Sequence, residues 1–144
     1  MVRIRKAEKE WAFFGLGQTA APARAKPVQR ERAEQRMLKQ WVDLQSWAPL
    51  WFHIANERQH QREAWGLKQD GVKPGLPDCV LWLPVGPYSF FACELKATKP
   101  HGKSASVEQM RVLEAMRACG AYVCVCFGAD EAIAMHRRYA AGEL

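Results

Sequence analysis

The chain has 144 residues, 49% of them hydrophobic and 25% charged, with 21 Lys and Arg against 15 Asp and Glu, for a net charge of +6. That length carries one domain with a single core. No apolar run approaches the ~20 residues of a membrane span, and the first residues lack the apolar stretch of a secretory signal, so the reading is an intracellular, cytoplasmic protein with no membrane partner.

The positive charge is uneven. Residues 1 to 30 hold seven basic and two acidic side chains, a net +5. A basic arm over residues 1–28 on a near-neutral body, residues 29–144, suits a polyanion such as nucleic acid. The arm alternates charge, an aromatic knot (Trp11, Phe13, Phe14) and a Gly, Ala and Pro-rich connector, and its fold is not readable.

From Gln29 to Trp47, Met37, Leu38, Trp41, Val42 and Leu44 recur at helical spacing, which predicts an amphipathic helix ended by Pro49. Glu31 and Gln35, four apart, share one side of it. Leu50 to Ile54 reads as a short strand, and Asn56 to Lys68 as a polar segment carrying Glu57.

Gly71 to Lys96 holds the densest signal. Cys79 to Leu83 and Phe90 to Lys96 are short apolar runs bounded by Pro and Gly, the pattern of buried strands, and Pro84-Val85-Gly86-Pro87 is turn chemistry between them. A hairpin folded about Gly86-Pro87 puts Asp78 opposite Glu94 to Lys96. Side chains alternate along a strand, so Glu94 and Lys96 share a face while Leu95 points to the other. Taken singly, Asp78 is a turn residue, and Glu94 and Lys96 a solvated edge pair. Taken together they put two carboxylates on an apolar hairpin, which is costly unless a cation lies between them, and carboxylates with waters are what Mg2+ prefers. Lys96 would then assist an attacking water and offset charge developing on phosphorus.

Beyond the hairpin, Ala97 to Ser104 is a polar loop. Ser106 is an N-cap for a helix whose core face runs Val107, Met110, Leu113 and Met116 to Gly120. Ala121 to Phe127 is a continuous apolar strand, and Asp130 starts a last helix reaching about Tyr139. The fold class is α/β: a small mixed sheet flanked by helices. The five cysteines are odd in number with no C-x-x-C pair, and read as small buried hydrophobes. Zinc held through Cys124 and Cys126 lacks a second ligand pair in the sequence.

The order P-D, then E-L-K, preceded by a helix carrying a Glu, resembles the PD-(D/E)xK nucleases with their restriction-endonuclease-like core. Within that group the chain resembles the VRR-NUC family, through GVKPGLPD (Gly71 to Asp78), ELK (Glu94 to Lys96), S-x-x-Q (Ser106 to Gln109), HIANE (His53 to Glu57), E-x-x-x-Q (Glu31 to Gln35) and the closing GAYVCVCFGADEA (Gly120 to Ala132). The resemblance covers about residues 29 to 140. It implies a Mg2+ or Mn2+-dependent endonuclease acting on DNA. Its small stand-alone, phage-type members imply a homodimer cutting branched DNA such as four-way (Holliday) junctions. Carried over, Asp78 and Glu94 ligate metal, with the backbone carbonyl of Leu95 as a further ligand. Lys96 assists the nucleophile, Glu31 completes the acidic cluster and Gln109 supports the site. Ala55 departs from the usual Pro, Glu57 has a less defined duty, and Glu34 competes with Glu31 as the first-helix acid.

Two other readings compete. Ala97 to Ser104, ATKPHGKS, satisfies a relaxed phosphate-loop pattern between a strand and a helix, which would make a nucleotide-binding protein. A non-catalytic DNA-binding module using the basic arm is the other.

Overall fold

The computed structural model describes residues 27–54, 69, 71 and 73–144. The basic arm as far as residue 26 and the segment around Ala55 and Glu57 lie outside the described residues. The described elements run α1 (Pro27–Val42), a 3-10 turn (Ala48–Leu50), β1 (Trp51–His53), β2 (Cys79–Leu81), β3 (Phe90–Lys96), α2 (Val107–Ala118), β4 (Ala121–Phe127) and α3 (Ala129–Ala140).

The four strands form one sheet in the order β1-β2-β3-β4. β1 with β2 and β2 with β3 are antiparallel, while β3 and β4 are parallel. A parallel pair needs a crossover, and α2 supplies it. The fold is therefore the expected mixed sheet flanked by helices. Alternation along the strands splits the core into two layers. Leu81, Phe91, Cys93 and Leu95 pack with Leu38 and Val42 of α1 and Tyr139 of α3, while Val80, Ala92 and Val123 pack with Leu113 of α2.

Gly86 makes the hairpin possible. It has φ of +57°, a conformation glycine adopts at little cost and the one required at the first central position of a tight II′ turn. Val85 and Tyr88 close that turn with two backbone bonds of 3.0 Å. The ladder then pairs Cys79 with Cys93 and Leu81 with Phe91. One step beyond Cys79, Asp78 lies across from Glu94.

His136 is fully buried on α3. Its Nδ1 lies 2.7 Å from the Ala132 carbonyl, which can only accept, while Nε2 accepts the Trp51 indole N–H at 3.1 Å, and the two bonds fix the ring in the core.

Several helix details differ from the sequence expectation. α1 stops at Val42 rather than near Trp47. There the backbone tightens into bonds from Leu44 N to Trp41 O at 3.2 Å and from Gln45 N to Val42 O at 2.9 Å, and the Gln45 side chain takes the Trp41 carbonyl at 3.1 Å. Leu44, past that end, is 82% exposed. On α2 Leu113 and Met116 face inward as expected, but Gln109 takes the inward place ahead of them instead of Val107 and Met110. Val107 and Met110 are exposed, because the end of α2 nearest Lys96 turns a polar residue toward the sheet.

Candidate metal and phosphodiester site

β3 passes through the middle of the sheet, and its last turn of the pleat leaves Glu94 and Lys96 on the α2 side. Glu94 is fully buried. Lys96 Nζ lies 2.5 Å from Glu94 Oε1 and 3.4 Å from Gln109 Oε1. Gln109 also donates its side-chain amide to Glu94 Oε1. Gln109 is itself immobilised by a capping box: its Oε1 accepts from Ser106 N at 2.8 Å, and its backbone N donates to Ser106 Oγ at 3.2 Å. The helix cap anticipated at Ser106 thus doubles as the clamp on a site residue.

Asp78 enters from the start of the neighbouring strand. Its Oδ2 accepts the Leu95 N–H at 2.8 Å, so the main chain between Glu94 and Lys96 holds it in place. Its carbonyl accepts from Ile54 N at 2.8 Å and lies 2.9 Å from His53 Nδ1, which ties β1 to the same corner.

One oxygen breaks the pattern of satisfied groups. Glu94 Oε2 is buried and has no hydrogen-bond partner among the described residues, and Gln35 Nε2 is in the same condition. Orphaned buried polar atoms are rare and costly, because the group has lost water and gained nothing. Burial first, and then the charge of Asp78, push Glu94 up to about 7. Burial likewise raises Asp78, against the pull of the Leu95 N–H and the Lys96 charge. Two neighbouring carboxylates, one with a buried oxygen left over, fit a hard divalent cation, which would satisfy Oε2 and remove the repulsion.

Asp78, Glu94, Leu95, Lys96, Gln109 and Glu31 all line one cleft of about 220 Å³. The Glu31, Asp78 and Glu94 carboxylates do not close into a triad within 4.8 Å; among the described residues that distance is met by three cysteines instead. Of the two first-helix acids, Glu31 lines the cleft while Glu34 is taken up by other partners. Glu34 takes the Thr98 hydroxyl on Oε1 and the Ala129 N–H on Oε2 at 2.8 Å, so it caps α3 and braces the end of β3. Gln35 also lines the cleft, with Glu31 one turn earlier on the same side. Sequence reasoning used Gln35 only to set the register of α1, although its spacing from Glu31 already placed it at the site.

The phosphate-loop reading does not survive the geometry. Helix α2 begins at Val107 with Ser106 as its cap, so Lys103 and Ser104 lie outside the first turn instead of inside it. A Cβ on Gly102 would meet the Ala97 carbonyl at 2.1 Å, so the loop is closed on its own backbone, with no room for a phosphate there.

No family model and no curated protein matches the chain. A solved structure described as a VRR_NUC domain protein does, with a TM-score of 0.67 and 23% identity over 76% of this chain and 87% of that one. The chain thus has the VRR-NUC fold.

Proposed function

We propose that the protein is a metal-dependent endonuclease that hydrolyses DNA phosphodiester bonds, with branched DNA such as four-way junctions as substrate and a homodimer as the working form. The observation that carries this reading is the buried Glu94 beside Asp78, with one oxygen fixed by Lys96 and Gln109 and the other buried with no hydrogen-bond partner among the described residues.

Asp78, Glu94 and the Leu95 carbonyl are the groups that would hold Mg2+ or Mn2+. When bound, the cation supplies charge for the phosphate oxygens and lowers the pKa of water from ~15.7 toward ~7. The residues of the chain do the positioning. The Leu95 N–H keeps the Asp78 carboxylate turned to the cleft, leaving Oδ1 uncommitted by that bond. Gln109 and Lys96 hold Glu94 from the other side, so neither carboxylate has to reorganise. Lys96 Nζ, fixed against Glu94, offers N–H donors to the attacking water and to the phosphate oxygen that gains charge. Glu31 and Gln35 line the same cleft, where an acid can accept the proton leaving that water and an amide can donate to a phosphate oxygen. Exposed Lys99, His101 and Lys103 follow directly after β3 and suit the neighbouring backbone phosphates. A homodimer would present two such sites, one for each strand to be cut.

Purified protein incubated with a synthetic four-way junction and Mg2+ or Mn2+ tests the reading. Nicking by the wild type, lost in Asp78→Ala while junction binding persists, is the expected result. Binding without cutting under either metal would mean a DNA-binding module that has lost its chemistry. Preference for linear duplex or flaps would keep the nuclease and discard the junction.

A further inference from the structure

The opposite face of β3 carries a second group of metal-ligating atoms. Sγ of Cys93, Cys124 and Cys126 lie within 4.8 Å of one another. Cys93 comes from β3 and the other two from β4, whose parallel register sets Cys93 beside Cys124 and Leu95 beside Cys126. Sequence spacing alone argued against zinc because no second ligand pair lies near Cys124 and Cys126, and a third sulfur changes that count. The ladder supplies one.

We propose that Cys93, Cys124 and Cys126 form a thiolate site for a soft cation, Zn2+ foremost, on the face of the sheet away from the acidic cleft. Three features support it. Zinc bonds thiolate sulfur at about 2.3 Å with tetrahedral angles, which sets ligand sulfurs about 3.8 Å apart; Cys124 Sγ and Cys126 Sγ are already 3.7 Å apart. All five cysteines of the chain are free, so no disulfide competes for the three. Burial is graded, with Cys93 and Cys126 enclosed and Cys124 half-buried, which leaves one ligand open as the entry point. Cys79 is the fourth thiol on this face, its Cα opposite Cys93, and it stands outside the triangle with Sγ 3.9 Å from His136 Nε2. Its Sγ lies 3.6 Å from the Cys93 carbonyl, which makes it a candidate fourth ligand.

The two sites sort by ligand chemistry. Carboxylates and carbonyls select Mg2+ and Mn2+, and thiolates select Zn2+ and its soft relatives. On ligation each thiol gives its proton to solvent and the cation takes the sulfur lone pair, with no change of oxidation state. A cation there would pin β3 to the edge strand β4 and stiffen the strand that carries Glu94. A buried thiol is more often just a small apolar side chain, and that ordinary role is what the experiment sets against this one.

The full chain, reduced and kept under argon with its five thiols counted by thiol titration, is titrated with Co2+, whose thiolate complexes show charge-transfer and tetrahedral d–d bands. The expected result is saturation near one equivalent, displacement by stoichiometric Zn2+, and indifference to a large excess of Mg2+. Cys124→Ser and Cys126→Ser lose the bands, whereas Cys119→Ser at an exposed thiol outside the triangle and Glu94→Gln in the acidic cleft keep them. Zn2+ also raises the Tm of the wild type, a readout that needs no variant to fold. Reduced wild type that is folded by circular dichroism yet gives no thiolate band overturns the proposal. So do bands that survive both Cys124→Ser and Cys126→Ser.

Discussion

On one face of β3, Glu94 and Lys96 are held by Gln109 and the Asp78 corner; on the other, Phe91, Cys93 and Leu95 are packed under α1 and α3. The backbone between them is the same, and only the parity of the position separates them. The apolar face obeys the ordinary rule that buried atoms are apolar or paired. The polar face breaks it at Glu94 Oε2, a departure that adds nothing to folding. Sites that violate packing rules locally while the surrounding structure satisfies them are where function resides.

That contrast is broken most severely by changes at the acidic corner. Asp78→Ala and Glu94→Gln should each lower the junction-nicking rate by about 10³-fold or more, and Lys96→Met by roughly 10²- to 10³-fold, with DNA affinity nearly unchanged in gel-shift titrations. The mirror case is Leu38→Ala on the other layer. It should lower unfolding free energy by about 2–5 kcal/mol in urea titrations and leave the nicking rate of the folded fraction intact. If Leu38→Ala instead changed turnover without changing stability, the separation of the two faces would be lost.

A pH series sharpens the same comparison. Glu94 is pushed from 4.5 to about 7, so the folded, metal-free chain keeps a proton that the unfolded chain has released. The contribution of Glu94 to stability is then fully present below the unfolded value and is lost as pH rises through the interval from 4.5 to about 7. Tm of the metal-free wild type should drop across that interval, Glu94→Gln should flatten most of the drop, and Mg2+ should oppose it more strongly at the alkaline end. The smallest effect is at the cap. Ser106→Ala should cost about 1 kcal/mol and slow nicking as well, because Ser106 positions Gln109 and hence Glu94. A cap mutant with the stability loss alone would show that Gln109 holds its place unaided.

Much of this arrangement was legible in the sequence where local chemistry and fold agree. Gly86 and the Pro-flanked apolar runs announced the hairpin, and the period of two along Phe90 to Lys96 put Glu94 and Lys96 on one face. Ser106 announced a helix start, and the family resemblance put Gln109 near the site, while the clamp between them emerged only in the structure. What could not be read depended on partners distant in sequence. Glu31 and Glu34 sit on the same helix, and only the arrival of Thr98 and Ala129 beside Glu34 shows which one is a strut. Val107 and Met110 look like core by periodicity but are exposed, because the inward place on that turn belongs to Gln109. The thiol triangle was hidden for a similar reason, since its third sulfur comes from another strand.

Mn2+ binding followed by electron paramagnetic resonance, in the wild type and in Glu94→Gln, tests the central claim most directly. The account predicts that the wild type sequesters Mn2+, more tightly as pH rises toward 7 and Glu94 gives up its proton, and that Glu94→Gln loses most of that affinity while remaining folded. Equal Mn2+ binding by the two proteins, or none by either, would contradict it.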